Sequence, residues 1–415
     1  TQGVIAATTC SSFDWSELTH EAAHVLKSRP TEARGGDAER LMVEAAARAM
    51  VSGDTRSASI LLRLRFLHPE AAFDESLPLL AVVSLSHFTL VHHVDGSVSL
   101  HPLGRPDLAA LATQAREEMQ AGLPGRLLSR LEGLLLPLGP PEGPFLFGSD
   151  GSLAEIPLRA IVGLALPDGR PLVPCLVIID PLGALPMRAD RKRHRAIASF
   201  ADASGDLPGA AREVLRREAT RWFRGQASTI EHLRNLGPVG LLHLGLRTIR
   251  DRGFPEIQFA DGLLSAPEVA GLGLEGNPVV LLTGCATAGG TACLGAERSM
   301  ASAFLAAGAS TVITTRWPVL DAEMRHFVRA LVLRWPFSDA AAVVAEVASS
   351  LKDSGFAPRL WAAPVVYARS PDAGLGSATC HQEGTRRHPS GAERAHSASS
   401  TRERSPSWDG MAGPG

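Results

Sequence analysis

The sequence predicts an α/β fold in which a mainly parallel β-sheet is covered by helices on both faces. Between about residues 75 and 370, short apolar runs alternate with amphipathic helices. Strands made of continuous apolar residues are typical of parallel sheets that are buried on both faces. With 415 residues, of which 45% are hydrophobic, the chain is long and apolar enough to build a large core.

The predicted strands share an enrichment in apolar and β-branched residues, bounded by turn residues. They are 79–91, 94–100, 175–180, 239–244, 279–283, 310–315 and 362–367. Helices with one apolar stripe separate the later strands. Their stripes, spaced i, i+3, i+4, i+7, are Met300, Ala303, Phe304 and Ala307 in one helix, and Met324, Phe327, Val328 and Leu331 in the next.

The two ends of the chain differ from this middle region. Residues 1–72 are predicted to form a helical N-terminal segment, with helices around 38–48 and 60–64. This hairpin resembles one degenerate tetratricopeptide unit. Two interpretations are open: a remnant of such repeats, or an ordinary helical hairpin. Residues 371–415 are rich in Ser, Gly, Arg, Pro and His and contain few large apolar residues, so we expect a disordered tail.

Charge and cysteine usage exclude several classes of protein. The 41 Lys and Arg residues balance 43 Asp and Glu residues, which argues against a specific nucleic-acid partner. The sequence has no apolar run long enough to span a membrane, so we expect a cytoplasmic protein without a membrane partner. The scattered cysteines form no CxxC pair, so neither a disulfide framework nor a zinc site is expected, and no cofactor is predicted. They are Cys10, Cys175, Cys285, Cys293 and Cys380.

A candidate nucleophile follows one of the predicted strands. The functional crevice of an open parallel sheet lies outside the carboxyl ends of its strands, and Cys285 follows strand 279–283 there. Its neighbours Gly284 and Ala286 are small, so a substrate backbone can approach, and their N–H groups are candidates for stabilising an oxyanion. The alternative is that Cys285 is a buried and inert thiol.

Six segments in order carry a resemblance to a known family. They are SDGSLAEIPLRA at 149–160, LPGAARE at 207–213, DGLLSAPEV at 261–269, LTGCAT at 282–287, GAE at 295–297 with FLAAGA at 304–309 and WPV at 317–319, and WAA at 361–363. Together they resemble the CHAT family of caspase- and separase-like cysteine peptidase domains, which often stand beside tetratricopeptide repeats. The resemblance covers about residues 73–370 and implies a caspase-like sheet with Cys285 at the nucleophile position.

The segment that should carry the general base departs from the family pattern. The family has LHLAxHG, in which the second histidine is the base, whereas residues 242–248 read LHLGLRT. Arg247 therefore stands at the position of the catalytic histidine, and Thr248 replaces the glycine. His243 matches only the first, strand-borne histidine, which leaves two interpretations: a hydrogen-bonded core histidine or a non-standard base.

The substitution has a chemical consequence. A cysteine peptidase needs an imidazole to help form the thiolate and to protonate the leaving amine. A guanidinium, whose pKa lies above about 12, cannot exchange that proton. Arg247 is nevertheless expected to lower the pKa of a nearby cysteine, so Cys285 is predicted to be reactive without supporting peptide hydrolysis.

Two further residues are assigned to substrate binding. Arg316 precedes the WPV segment, where the family usually has leucine, and Asp321 keeps an acidic residue just after it. Arg247 and Arg316 would either form a cationic mouth for an acidic peptide or each pair with a local carboxylate.

The sequence thus favours a catalytically impaired regulatory module that binds a protein or peptide, with the N-terminal helices as a second candidate docking surface for a partner protein. The alternative is an active cysteine endopeptidase whose base is His243 or a residue of a partner.

Overall fold

The computed structural model describes residues 36–67, 72–121, 126–149, 153, 156–166, 169–178, 194–213, 220–249, 255–283, 292–293, 296–297 and 299–368. These residues belong to one compact unit, residues 1–376. The predicted tail, 371–415, lies outside the described residues.

The described helices are mostly short, and several begin at a side-chain cap. They are α1 Gly36–Ser52, α2 Thr55–Phe66, α3 Arg105–Gln120, α4 Arg126–Leu135, α5 Leu158–Ala165, α6 Ile230–Arg234, α7 Ala266–Ala270, α8 Met300–Ala306, α9 Asp321–Leu333, α10 Ala340–Asp353 and α11 Pro358–Trp361. Asp54, Ser299 and Asp339 each accept a hydrogen bond from a backbone N–H in the first turn of α2, α8 and α10. Such caps satisfy a donor that the helix itself leaves unpaired.

The described strands form one large sheet and two small ones. They are β1 Leu79–Ser84, β2 Thr89–His92, β3 Val98–His101, β4 Phe145–Ser149, β5 Cys175–Ile178, β6 Ile197–Ala201, β7 Thr220–Arg224, β8 Leu241–Gly245, β9 Thr248–Ile249, β10 Glu256–Phe259, β11 Gly262–Ser265, β12 Val279–Leu282, β13 Ala292–Cys293, β14 Ala296–Glu297, β15 Thr311–Thr315 and β16 Pro364–Ala368. The large sheet has eleven strands in the order β3-β2-β1-β4-β5-β16-β15-β12-β8-β6-β7.

The large sheet consists of two mainly parallel halves that run in opposite directions. Strands β15, β12, β8, β6 and β7 are parallel to one another. Strands β1, β4, β5 and β16 are also mutually parallel, and the two halves meet where β15 pairs antiparallel with β16. The carboxyl ends of β6, β8, β12 and β15 therefore share one edge of the sheet with the beginnings of β16 and β5.

Burial confirms the predicted α/β class with helices over both faces. Every residue of β1, β4, β6, β8, β15 and β16 is buried. Because alternate side chains of a strand point to opposite faces, complete burial requires a layer on each face. The predicted stripes of α8 and α9 are likewise buried.

Some elements differ from the prediction. The apolar run 79–91 contains two strands, β1 and β2, which pair antiparallel across a short turn. Three strands of the large sheet were not predicted: β4, β6 and β7. β6 is rich in small residues, and β7 reads Thr-Arg-Trp-Phe-Arg at the edge of the sheet, so neither has the continuous apolar run used to identify strands.

The two N-terminal helices pack against each other and against the β1–β4 half of the sheet. Leu61, Leu62 and Leu64 of α2 are buried in the common core. A Cβ atom on Gly148 of β4 would lie 2.6 Å from the ring of Phe66, so this glycine allows the end of α2 to contact the sheet closely. The boundary at residue 72 stays a prediction. Within the described ranges, none of the helices has the length and hydrophobicity to cross a bilayer.

Candidate active site

The edge at which the crevice is predicted is formed by the carboxyl ends of β6, β8, β12 and β15. Backbone hydrogen bonds hold the strand ends together: Asp202 N donates to Gly245 O over 3.1 Å, and Thr283 N donates to Leu244 O over 3.1 Å. Thr283, two positions before Cys285, is the last described residue after β12. The predicted nucleophile Cys285 and its neighbours Gly284 and Ala286 lie outside the described residues.

His243 lies in β8 and is fully buried, with 0% of its surface exposed. Its Nδ1 is 2.9 Å from the hydroxyl of Ser199 on the neighbouring strand β6. Its Nε2 is 2.7 Å from Oε2 of Glu213 and 3.1 Å from Oγ1 of Thr283. The Thr283 hydroxyl also donates to Oε2 of Glu213 over 2.9 Å. Four side chains from β6, β8 and the segments after β6 and β12 thus form one buried polar network.

The contacts are compatible with one arrangement of donors and acceptors in this network. A carboxylate that accepts from both neighbours requires Nε2–H of His243 to donate a hydrogen bond to Oε2 of Glu213. Nδ1 then accepts from the Ser199 hydroxyl if the ring is neutral. Both ring nitrogens are therefore engaged inside the core, which corresponds to the core-histidine interpretation of His243.

Arg247 lies two residues beyond the end of β8 and forms an ion pair with Asp206, in the segment that follows β6. The side chains of Arg247 and Asp206 are 50% and 43% exposed, so the pair lies at the surface of the sheet edge. The backbone of Arg247 is fixed as well, because its carbonyl accepts a hydrogen bond of 2.9 Å from Gln258 N.

Asp321, assigned to substrate binding from the sequence, binds a loop of its own chain. Its Oδ2 accepts a hydrogen bond of 2.5 Å from Gly209 N, and its Oδ1 accepts one of 2.8 Å from Ala210 N. A Cβ atom on Gly209 would lie 2.2 Å from Oδ2, so only glycine lets the carboxylate approach this closely. The carboxylate thereby fixes the segment that leads to Glu213.

Arg316, the second residue assigned to substrate binding, is only 5% exposed. Its guanidinium lies 5.9 Å from the centre of the Phe147 ring, in the half of the sheet away from β8. Arg159 and Cys175 are close enough to influence it electrostatically. Arg316 and Arg247 thus have different surroundings: one is buried beside β4 and β5, and the other is exposed and paired with Asp206.

The sequence analysis did not identify Ser199, Glu213 or Thr283 as members of a site. A signal was present for Glu213, because it is the last residue of the LPGAARE segment that resembles the family motif. Thr283 had the same kind of signal, because it lies in the LTGCAT segment at 282–287. Ser199 carries no such signal, since a hydroxyl in a strand becomes informative only when its neighbour across the sheet is known. In the described part of the chain, His, Cys, Asp and Glu side chains form no group of three that would hold a metal ion.

Solved structures that resemble this chain include proteases. Separase from Saccharomyces cerevisiae, in complex with securin, matches with 10% identity and a TM-score of 0.45 over 86% of this chain and 37% of that one. The Arg-specific cysteine proteinase gingipain R matches with 8% identity and a TM-score of 0.37 over 71% of this chain and 77% of that one.

A chain described as a protease matches with 13% identity and a TM-score of 0.30 over 43% of this chain. Our chain spans 48% of that protease and less of separase. No curated protein matches the chain. The CHAT domain matches residues 24–369, which is most of the sequence. The mainly parallel sheet, the ordered motifs and this match lead to one conclusion: the chain belongs to the CHAT domain family.

Proposed function

We propose that this CHAT-domain protein is a catalytically impaired regulatory module that binds a protein or peptide at the carboxyl edge of its sheet. The observation that carries the proposal is the residue at the position of the family's general base. By its resemblance to the family motif, the segment 242–248 has Arg247 at that position, and the Arg247 side chain forms an ion pair with Asp206. A guanidinium remains protonated at every physiological pH and cannot take a proton from a thiol or return one to a leaving amine.

The environment of His243 supports the same proposal. An alternative base must reach the nucleophile with a free ring nitrogen, within hydrogen-bond distance or through one water. Both nitrogens of His243 are engaged by Ser199, Glu213 and Thr283, and the side chain is inaccessible to solvent. Freeing the ring would leave the Glu213 carboxylate buried without its histidine donor, which is unfavourable.

Loss of the base does not abolish every property of a cysteine peptidase site. A cation near a cysteine favours the thiolate, so we expect Arg247 to keep Cys285 reactive while peptide hydrolysis fails. Absence of general acid–base help lowers the rate by about 10² to 10⁴. Binding of a polypeptide at the carboxyl edge of the sheet requires neither the proton transfer nor the catalytic histidine. Polypeptide binding is therefore the function that we propose for this site.

The proposal is tested by measuring thiol reactivity and cleavage on the same protein. We expect iodoacetamide to modify Cys285 readily near neutral pH. Mass spectrometry of the peptides measures this modification. A random peptide library incubated with the protein should remain uncut. Cleavage that disappears in Cys285→Ala would overturn the proposal, and its additional loss in His243→Gln would identify His243 as the base of an active endopeptidase.

A further inference from the structure

An exposed ion pair joins the segments that follow β6 and β8 at the carboxyl edge of the sheet. It is formed by the guanidinium of Arg247 and Oδ2 of Asp206, whose side chains are 50% and 43% exposed. Solvent and solutes therefore reach both partners. Exposed ion pairs are weak, and their formation shifts an equilibrium by a factor of about five or less. This pair therefore opens at little cost to the fold.

The backbone around both residues is fixed independently of the ion pair. Oδ1 of Asp202 accepts a hydrogen bond of 2.7 Å from Leu207 N, which closes the turn that contains Asp206. The carbonyl of Arg247 accepts its hydrogen bond from Gln258 N. Opening of the pair therefore requires a movement of two side chains and leaves both backbone segments in place.

The two partners differ in what they gain from a new ligand when the pair opens. Oδ1 of Asp206 accepts a hydrogen bond from the Ser204 hydroxyl, and this contact does not involve Arg247. Asp206 thus keeps one hydrogen bond in the opened state. A guanidinium is weakly hydrated, and its parallel N–H groups match the two oxygens of a carboxylate. The opened pair therefore favours a ligand with a carboxylate on Arg247 over a basic ligand on Asp206.

We infer that Arg247 binds an acidic side chain of the bound peptide, and that Asp206 occupies Arg247 as an internal competitor when no peptide is present. Arg247 follows β8, and β8 is paired with β12, the strand that precedes Cys285 in the sequence. Neighbouring strands are about 4.8 Å apart, so an extended peptide along the carboxyl edge of the sheet reaches Arg247. This inference rests on the proposed peptide-binding function, for which it names the ligand class.

Internal competition has a measurable size. A ligand that needs the open state binds more weakly in proportion to the fraction of molecules that are open. An ion pair that forms with an equilibrium constant of up to about five lowers the apparent affinity up to about sixfold. Asp206→Asn keeps the shape of the side chain and removes the charge that attracts Arg247. We therefore expect Asp206→Asn to bind an acidic peptide about two- to sixfold more tightly than the wild type.

The test uses three dye-labelled hexapeptides in which alanine alternates with aspartate, asparagine or lysine. Their binding to the full chain is measured by fluorescence anisotropy at equal ionic strength. In Asp206→Asn we expect the aspartate peptide to bind at least about tenfold more tightly than the asparagine peptide, as for a charge-assisted hydrogen bond. Arg247→Gln added to Asp206→Asn should remove this preference. Glu346→Gln also removes one negative charge from an exposed ion pair, with Arg334, and should bind like the wild type.

A second measurement needs no substitution at Asp206. Phenylglyoxal modifies accessible arginines, and mass spectrometry of the peptides gives the rate at Arg247. In the wild type we expect the aspartate peptide to slow this modification and the asparagine peptide to leave it unchanged. Without any peptide, Asp206→Asn should be modified at Arg247 faster than the wild type.

Three results would overturn the inference: equal binding of the aspartate and asparagine peptides, no gain in affinity in Asp206→Asn, or a preference for the lysine peptide that is lost in Asp206→Asn. The last result would make Asp206 the ligand-binding group. None of them bears on catalytic impairment. Cleavage of a peptide library that disappears in Cys285→Ala would instead refute the proposed function, whichever of the three peptides binds best.

Discussion

Oε2 of Glu213 lies 2.7 Å from Nε2 of His243, and both side chains are completely buried. Because the same oxygen accepts a hydrogen bond from Thr283, Glu213 links the segment after β6 to β8 and to the end of β12. The strand end that leads to Cys285 is thus held by a buried carboxylate rather than by backbone pairing alone. Glu213 is therefore a positioning residue of the candidate site.

This relationship predicts a loss of stability when the carboxylate is replaced by an isosteric amide. Glu213→Gln keeps the shape but turns one acceptor into a donor and weakens the contacts to His243 and Thr283. We expect the free energy of unfolding to fall by about 1 to 3 kcal/mol, measured by urea denaturation. The control is Glu346→Gln, at an exposed ion pair with Arg334, which should change it by less than about 0.5 kcal/mol. Equal effects of the two substitutions would contradict the role of Glu213.

The sequence was informative where local pattern determines structure. The prediction succeeded for β8, β12 and β15 and for the apolar stripes of α8 and α9. In each of these elements the order of apolar residues along the sequence indicates which positions are buried. The buried network was not predicted, because Ser199, Glu213 and Thr283 are far apart in the chain and meet only through the strand order. The separation of Arg316 from Arg247 was also hidden, since the direction of a side chain at a strand end depends on packing.

A second prediction concerns the contact between Gly209 and Asp321. In Gly209→Ala the new methyl group would overlap the Asp321 carboxylate, at 2.2 Å from Oδ2, so the loop and α9 must separate. We expect a loss of about 1 to 3 kcal/mol in unfolding free energy, as for other substitutions that overfill a packed contact. Gly143→Ala is the matched control, because a Cβ atom there meets no other atom within 4 Å. If Gly209→Ala is as stable as Gly143→Ala, the carboxylate does not hold the loop in this way.

A third prediction is a loss of stability in acid that originates at His92. Burial lowers the pKa of His92 to about 4, below its ordinary value of 6.5. The unfolded chain therefore binds the proton first, so the stability due to the neutral ring is complete above pH 6.5 and is lost as the pH falls towards 4. The slope is at most about 1.4 kcal/mol per pH unit.

Urea denaturation between pH 4 and 7 measures this dependence. His92→Gln should make the profile flatter, whereas His87→Gln, at an exposed turn position, should leave its slope unchanged. If the unfolding free energy of the wild type and of His92→Gln depends on pH with the same slope, other groups cause the loss of stability in acid.

A fourth prediction distinguishes two thiols. With a pKa raised by burial to about 11, Cys175 is about one part in 10⁴ thiolate at pH 7 and should react slowly with iodoacetamide. Peptide mass spectrometry should therefore find Cys285 modified before Cys175, and Cys175→Ala should not reduce the rapid phase of modification. Rapid modification of Cys175 would contradict the raised pKa of its thiol.

The central claim is that Arg247 prevents hydrolysis because it cannot exchange a proton. The most direct measurement is cleavage of a random peptide library, detected by mass spectrometry. Three proteins are compared: the wild type, the double variant Arg247→His with Thr248→Gly, and that double variant with Cys285→Ala added. We predict no cleavage by the wild type, measurable cleavage by the double variant, and none after Cys285→Ala. Cleavage by the unmodified chain that is lost in Cys285→Ala would contradict the claim.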